Sequence, residues 1–301
     1  MNQEFLFLLL LIMVGYVFKR LNLLKEKDGE AMGRIIFNIT LPALIIVTFD
    51  TVKVEPSLLL LTVIVLIYGM LSLFLAWLIF RKEEKELKGT LLMLAPGYNV
   101  GIFAFPLVQT IWGAEGLAYF GMFDAGNAFI LFGIVYIIGS YYSKEGLTLK
   151  PKIILKKFGT SIPLMTYFIV SILNYCHLHL PSAFIDFATI LSKANMPLSF
   201  LLLGLYLNFK FEKLYIKPMV KFLLFRYGTG LLFGLILYFL LPFNEMFKYT
   251  ILIGLLLPIG SSILPFALEF KYSTTRFIGT LTNMTIIISM LILYLFANFI
   301  L

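Results

Sequence analysis

The sequence is poor in the residues on which disulfides, metal sites and soluble surfaces depend. It has one cysteine, Cys176, and two histidines among 301 residues. A single cysteine cannot form a disulfide within the chain, and His177 and His179 have no further cysteine or histidine close in sequence to complete a zinc site. Charged residues make up only 13% of the chain. We therefore expect no bound metal and no cofactor, and the low charge argues against a soluble domain.

Hydrophobic residues, in contrast, make up 60% of the chain, and the mean hydropathy is +0.97. A soluble protein of this size has too little interior to bury that much apolar surface. A bilayer core about 30 Å thick instead takes roughly 20 apolar residues per helix. Ten apolar runs follow one another: 5–18, 35–49, 57–80, 89–112, 117–139, 161–176, 185–207, 219–241, 249–270 and 277–301. The sequence predicts an all-α membrane protein with about ten transmembrane helices.

The net charge of +8 is distributed unevenly between the linkers. Most lysines and arginines follow the odd-numbered helices: Lys19, Arg20, Lys25, Lys27, Arg34, Arg81, Lys82, Lys85, Lys88, Lys144, Lys150, Lys152, Lys156, Lys157, Lys210, Lys213, Lys217, Lys221, Lys271 and Arg276. The intervening linkers contain only Lys53 and Lys248. The positive-inside rule then places the basic linkers in the cytoplasm and both termini outside a plasma membrane. Anionic lipid accounts for this charge, so we expect no nucleic-acid partner.

Ten crossings with both termini outside give two five-helix halves of opposite orientation, because helix 1 starts outside and helix 6 starts inside. This is the arrangement of inverted-repeat transporters. We expect a first repeat at 1–139, a cytoplasmic linker at 140–160 and a second repeat at 161–301. Three motif pairs recur in the same order: Asn38-Ile-Thr-Leu-Pro42 with Asn195-Met-Pro197, Pro96-Gly97-Tyr98-Asn99 with Pro258-Ile259-Gly260-Ser261, and Asp124-Ala-Gly-Asn127 with Thr280-Leu-Thr-Asn283.

Helices 4 and 9 contain helix-breaking residues in mid-membrane. Proline removes a backbone donor, and backbone left unsatisfied in lipid costs several kcal/mol. Two helices broken at matching depth can cross and point their half-helix N-termini into one site, which favours a carboxylate. The alternative is that both are kinked packing helices. The broken-helix argument selects these candidate substrate-binding residues: Pro96, Tyr98, Asn99, Pro258, Ser261 and Ser262.

The interrupted helices resemble those of the auxin efflux carrier family, which includes plant PIN carriers and bacterial carboxylate permeases. Helix 4 has the family's asparagine seven residues before a proline, here Asn99 and Pro106. The helix 7 stretch 191–205 is similar to the family's and ends in the same Leu-Gly-Leu, and the stretch 264–272 after helix 9 also matches. The resemblance extends over most of the chain.

Several expectations follow from the resemblance alone. It implies a crossover of helices 4 and 9, a scaffold of helices 1, 2, 6 and 7, and an elevator-like motion of helices 3–5 and 8–10. It also implies a homodimer formed through the scaffold helices. Asn99, Pro106 and Pro265 are the substrate positions that it carries over. Where PIN-type members have an aspartate in helix 7, this chain has Lys193, which argues against a cation-coupling role for that position.

Each charged residue inside the membrane has a functional and a structural interpretation, because such charges are costly in lipid. Lys193 either attracts the anion or reaches the outer interface and pairs with Asp186. Asp124 either carries a coupled proton or makes a structural hydrogen bond with Asn127. We expect Arg226 to extend to the cytoplasmic interface.

Two further polar residues of the predicted spans are Asn38 in helix 2 and Asn283 in helix 10. Both are expected to form hydrogen bonds between helices, with a position facing the substrate cavity as the alternative.

The function that we expect is secondary transport of a small organic anion, a mono- or dicarboxylate. An intramembrane enzyme would need paired aspartates, a Ser/His pair or a His-Glu-x-x-His motif, and none is present, so we expect no enzyme activity. A receptor or sensor would need a sensing domain, and the external linkers are short. A sodium-coupled carrier of the bile-acid type shares the crossover but gathers acidic and polar ligands for sodium, which are lacking beside helices 4 and 9.

Overall fold

The computed structural model describes residues 2–52, 56–144, 156, 159–208 and 215–299. In these ranges the chain is helical throughout, apart from loops and one isolated bridge between two residues. The α-helices are α1 (Asn2–Arg20), α2 (Glu26–Ile35), α3 (Leu41–Thr51), α4 (Leu59–Ile79), α5 (Lys85–Leu94), α6 (Phe105–Phe129), α7 (Tyr136–Tyr142), α8 (Ile162–Tyr175), α9 (Ser182–Ser192), α10 (Asn195–Tyr206), α11 (Ile216–Leu240), α12 (Glu245–Gly254), α13 (Ile263–Glu269) and α14 (Thr275–Phe299). Turns of π-helix at Ile36–Thr40, Val100–Ala104 and Ile130–Val135 join neighbouring helices, and a 3₁₀ turn at Pro56–Leu58 precedes α4.

Local sequence explains where several helices begin. Pro42 and Pro106 each follow a turn of π-helix, Ile36–Thr40 and Val100–Ala104, that runs directly into α3 or α6, so the irregular turn occurs where proline cannot donate a helical hydrogen bond. The Asn244 side chain caps α12 by accepting a hydrogen bond of 2.9 Å from the backbone N–H of Phe247. The long helices have apolar side chains on every face, as expected for spans surrounded by lipid and other helices.

Six helical stretches within the described residues are long and apolar enough to cross a membrane: Glu26–Thr51, Leu59–Ile79, Val100–Tyr142, Ser182–Tyr206, Ile216–Leu240 and Thr275–Phe299. The third has 43 residues, which at about 1.5 Å per residue exceeds a single crossing about twofold. It bends sharply at Gly113, whose φ of 60° and ψ of −144° are not helical. The predicted all-α membrane fold is thus confirmed, whereas the ten-crossing inverted repeat stays a prediction.

The helices pack as two groups. In the α1 group, which comprises α1–α3 and α8–α10, α1 runs along α10 and α3 lies against α8 and α9. In the α6 group, which comprises α4–α7 and α11–α14, α4 and α12 pack on α6 and α5 packs on α7. The groups meet where α3, α8 and α10 contact α6, and where α10 contacts the π turn Val100–Ala104. These groups contain the helices that the resemblance assigns to scaffold and moving part.

Several predicted features lie outside the described residues. They are most of the linker 140–160, of which 145–155, 157 and 158 are not described, and the basic residues Lys53, Lys150, Lys152, Lys157, Lys210 and Lys213.

Candidate functional site

The two predicted interruptions meet at one point. The segment between α5 and the π turn Val100–Ala104 runs antiparallel to the segment between α12 and α13, with Tyr98 opposite Ile259. The Asn99 N–H donates to the Pro258 carbonyl at 2.9 Å, and the Gly260 N–H donates to the Gly97 carbonyl at 3.2 Å. Each interruption thus satisfies backbone groups of the other, which is what a break in a membrane helix requires. We call residues 95–99 and 255–262 the crossing.

Side chains of neighbouring helices hold the crossing from both sides. The Asn127 carboxamide in α6 accepts from the Tyr98 N–H and donates to the Tyr98 carbonyl, both at 2.9 Å. On the other side, the Thr285 hydroxyl in α14 accepts from the Ile259 N–H at 3.1 Å. The Leu131 side chain lies so close to Gly97 and Gly260 that an added Cβ would approach its methyl carbons to 2.4 and 2.9 Å. The crossing is therefore a packed and hydrogen-bonded unit.

An arginine that the sequence analysis assigned to the interface lies beneath this unit. Arg226 in α11 is 2% exposed, so the prediction that it extends to the cytoplasmic surface is wrong. Its two terminal nitrogens donate four hydrogen bonds of 2.9–3.0 Å to the carbonyl groups of Leu94, Ala95, Gly97 and Leu257. Its guanidinium carbon also lies 4.5 Å from the centre of the Tyr98 ring. The four carbonyl groups and the Tyr98 ring stabilise the buried guanidinium, so the side chain does not have to extend to water.

The candidate substrate-binding residues fall into two sets. Tyr98, Asn99, Pro96 and Pro258 are buried within the crossing. Asn99 is 4% exposed, and within the described part of the chain its carboxamide forms no hydrogen bond. Its backbone precedes the first turn of the second half of helix 4.

The other candidates lie at the starts of the second half-helices. Ser261 and Ser262 are partly exposed just before α13, while Pro265 is exposed in its first turn. Pro106 is buried in the first turn of α6. Pro265 therefore lies in the first turn of a helix, Pro106 follows the π turn Val100–Ala104 within a continuous helix, and neither lies in the crossing.

Asp124 lies in α6 and contacts Asn127, one of the side chains that hold the crossing. Its Oδ1 accepts a hydrogen bond of 3.0 Å from Asn127, as the structural interpretation predicts. Near it, the buried Tyr167 hydroxyl of α8 has no partner among the described residues. A small cavity beside it has a volume of about 10 Å³, enough for about one water molecule, and is lined by Leu44, Ile45, Thr48, Phe49, Phe105, Leu117 and Tyr167. It opens between α3 and α8 of one group and α6 of the other.

The remaining polar candidates lie away from the crossing. Asn283 in α14 donates to the carbonyls of Tyr206 at 3.2 Å and Asn208 at 2.8 Å, so it caps the C-terminal end of α10. Asn283 thus makes the expected contact between helices, whereas Asn38 is exposed and forms no hydrogen bond to any described residue, so its role stays a prediction. Thr40, two residues later, makes the contact instead by donating to the Asn195 side chain at 3.0 Å.

Lys193 lies exposed at the junction of α9 and α10. Among the described residues it forms no ion pair, with Asp186 or with any other acid. Its assignment to the substrate site stays a prediction. No group of three or more His, Cys, Asp or Glu side chains converges within the described ranges.

Comparison with known proteins gives consistent matches. A profile of the membrane transport protein family matches residues 2–157. The chain is 30% identical over 217 residues to an uncharacterized transporter of Methanothermobacter thermautotrophicus, an alignment that covers 70% of this chain and 69% of the relative. It is also 29% identical over 214 residues to an uncharacterized transporter of Methanocaldococcus jannaschii, covering 67% of this chain and 68% of that protein.

Together with the crossed and interrupted helices, these matches define a membrane transporter. The chain belongs to the membrane transport protein family, which is the auxin efflux carrier family that the motifs of helices 4, 7 and 9 indicated.

Two residues that hold the crossing from other helices were not predicted to do so from the sequence, Thr285 and Arg226. Thr285 was missed because a threonine in an apolar helix gives no local signal. Arg226 did give a signal, since it stands about ten residues inside a 25-residue apolar helix. Its depth argued for burial, and the long side chain made the interface the simpler interpretation.

Proposed function

We propose that this transporter carries a small organic anion, a mono- or dicarboxylate, and binds it at the crossing beside Asn99. The observation that carries the proposal is the Asn99 carboxamide, which lies at the crossing, is only slightly exposed and forms no hydrogen bond within the described residues. Its amide N–H groups can therefore donate to a ligand that supplies an acceptor. A carboxylate offers such acceptors in strong, charge-assisted hydrogen bonds.

The electrostatics of the half-helices support an anion over a cation. The second halves start at Val100 and Ile263, next to the crossing. The first backbone N–H groups of a helix have no acceptor within it and carry the positive end of its dipole, and the start at Val100 provides such donors. In α13 the Ile263 N–H already donates to the Gly260 carbonyl, and Pro265 has no N–H. The hydroxyl groups of Ser261 and Ser262 are partly exposed at the same place and add donors. These groups bind a carboxylate without a neighbouring lysine.

The mechanism that we propose is an elevator-type exchange, in which the α6 group carries the crossing past the α1 group. Within the described residues, the boundary between the groups has the small cavity at Thr48 near one end and the polar contact of Asn283 near the other. The stretch α2–α3 runs antiparallel to the stretch α9–α10, since Gly29 lies near Tyr206 and Thr40 bonds to Asn195. The Asn283 cap at the end of α10 therefore lies on the opposite membrane side from Thr48 near the end of α3. Breaking the cap and closing the cavity would belong to the same movement.

The proposal includes the expected topology. The protein would lie in the plasma membrane with both termini outside, its halves 1–139 and 161–301 inverted relative to each other and joined by the linker 140–160. It would dimerise through the α1 group, whose lipid-facing side includes exposed residues such as Phe7 and Met13. Lys193 would lie on the external side, where an anion enters.

Uptake measurements test this function. Purified protein in proteoliposomes is assayed with labelled mono- and dicarboxylates, including malate, against wild type and Asn99→Ala. We expect uptake of at least one carboxylate by the wild type and a loss of at least about tenfold in Asn99→Ala, because one charge-assisted hydrogen bond contributes about 1.5–3 kcal/mol.

The matched control is Asn298→Ala. Asn298 lies near the end of α14 and donates only to Tyr294 one turn earlier on an exposed face. Its replacement should leave uptake unchanged. Equal uptake by wild type and Asn99→Ala at equal protein levels would remove Asn99 from the site, and uptake that requires sodium would favour the bile-acid type of carrier.

A further inference from the structure

The Arg226 guanidinium holds both interrupted helices at their negative ends. Leu94 and Ala95 lie at the C-terminus of α5, and Leu257 follows the C-terminus of α12. Their carbonyls are the unsatisfied acceptors that carry the negative end of each half-helix dipole. One cation thus caps two half-helices and the Gly97 carbonyl between them.

The charge of Arg226 is solvated by these dipoles but not neutralised. Among the described residues no carboxylate forms an ion pair with it. Backbone carbonyls contribute partial charges only, so a positive charge remains inside the α6 group. In a medium of low dielectric constant, a buried charge acts over longer distances than it does in water.

The ligand does not need to touch Arg226 to experience this charge. All four terminal N–H groups are used by carbonyls, and the remaining Nε is buried without a partner. The guanidinium lies against the Tyr98 ring, one residue from Asn99. Arg226 covers the negative C-terminal ends of α5 and α12, while the positive N-terminal ends of the second half-helices face the proposed binding site. Arg226 and these N-terminal ends therefore both produce a positive potential at that site.

We propose that Arg226 sets the charge selectivity of the crossing, as a fixed positive charge that attracts anions and repels cations without contacting them. This inference rests on the proposed location of the binding site and adds the residue that selects the sign of the ligand's charge. Arg226 is a positioning residue for the backbone as well, so its electrostatic role must be separated from its structural one.

The test measures the potential directly and needs no knowledge of the substrate. Ser262→Cys, made together with Cys176→Ser, places a single thiol beside the crossing at a partly exposed position. Its modification rate is measured with two methanethiosulfonate reagents of similar size, one with a sulfonate and one with a trimethylammonium group. In this background we expect Arg226→Gln to lower the ratio of the anionic to the cationic rate about tenfold or more.

Two further variants isolate the charge. Thr285→Val removes a neutral hydrogen bond to the same crossing and should change both rates alike, leaving their ratio as in the parent. Arg226→Lys keeps the charge with fewer hydrogen bonds and should also keep the ratio, even where it lowers stability. A ratio that falls in Arg226→Lys, or that is unchanged in Arg226→Gln, would overturn the proposal and leave Arg226 as a structural cap.

The outcome is distinguishable from a failure of the proposed function. Carboxylate uptake by the wild type tests the substrate class, whereas the rate ratio tests the source of the potential. A shifted ratio without carboxylate uptake would support the role of Arg226 while refuting the proposed substrate.

Discussion

Gly204 in α10 lies directly against the backbone of α1 beside Gly15, and each glycine leaves room for the other helix. A Cβ added to Gly204 would come within 1.9 Å of the Ile12 carbonyl oxygen, and one added to Gly15 within 2.2 Å of the Leu201 carbonyl oxygen. Backbone cannot yield in the way that a side chain can, so the two helices would have to separate. This contact fixes the geometry of the α1 group, which is the expected scaffold.

Gly204→Ala should therefore destabilise the protein by about 1–3 kcal/mol or more, as overpacking does. The matched control is Gly228→Ala in α11, where a Cβ would meet no atom within 4 Å. Alanine in a helix is favoured over glycine by about 0.5–1 kcal/mol, so the control should be neutral or stabilising. Thermal unfolding of the purified proteins in detergent measures both, and a control that is as unstable as Gly204→Ala would contradict the close-packing argument.

Asn127→Ala should loosen the crossing. The substitution leaves the Tyr98 N–H and carbonyl without their partner, and each buried unsatisfied group costs about 1–3 kcal/mol. We expect a lower unfolding temperature together with reduced transport. Asn298→Ala, which loses only an exposed hydrogen bond, should unfold like the wild type. Equal unfolding temperatures for the two variants would mean that Asn127 does not hold the crossing.

Asn283→Ala should shift the balance between transport states. It removes two hydrogen bonds that join α14 to the end of α10, and so destabilises the conformation that contains the small cavity at Thr48. The readout is the rate at which a membrane-impermeant maleimide labels Thr48→Cys in a Cys176→Ser background. We expect this rate to fall about fivefold, in line with the loss of roughly 1 kcal/mol.

Asn174→Ala provides the control for this shift. Asn174 in α8 donates to the carbonyls of Phe49 and Val52 at the end of α3, which is the same kind of cap made within the α1 group alone. Its loss should lower stability without changing the labelling rate of a folded fraction. A fall of the rate in Asn174→Ala, or none in Asn283→Ala, would argue against Asn283 as a contact that breaks during transport.

The sequence predicted those features that leave a local chemical signature. Pro96, Gly97 and Pro258 marked the interruptions because few residues break a membrane helix, and the structure has both breaks where these residues occur. The runs of apolar residues indicated the helical spans for the same reason. The family could be recognised because Asn99 and Pro106 stand at a fixed spacing within such a break.

Features that depend on three-dimensional proximity could not be obtained in this way. The contact of Arg226 with four carbonyls joins α11 to α5 and α12, and no local pattern records it. Asn38 and Thr40 lie two residues apart, so on opposite sides of a helix, and only the position of Asn195 decides which of them makes the bond. Prolines 106 and 265 looked like breaks, but Pro265 lies in the first turn of α13, which tolerates proline, and Pro106 follows the π turn Val100–Ala104 within a continuous helix.

The most direct test of a carboxylate site at the crossing is a thermal-shift measurement with a panel of carboxylates on the wild type and Asn99→Ala. A ligand that binds only the folded state raises the melting temperature by mass action. At a ligand concentration of 100 Kd, it increases the free energy of unfolding by about 2.7 kcal/mol. We predict that at least one mono- or dicarboxylate stabilises the wild type and that Asn99→Ala loses this response while melting normally without ligand. An equal shift in both proteins, or stabilisation by cations and not by carboxylates, would contradict it.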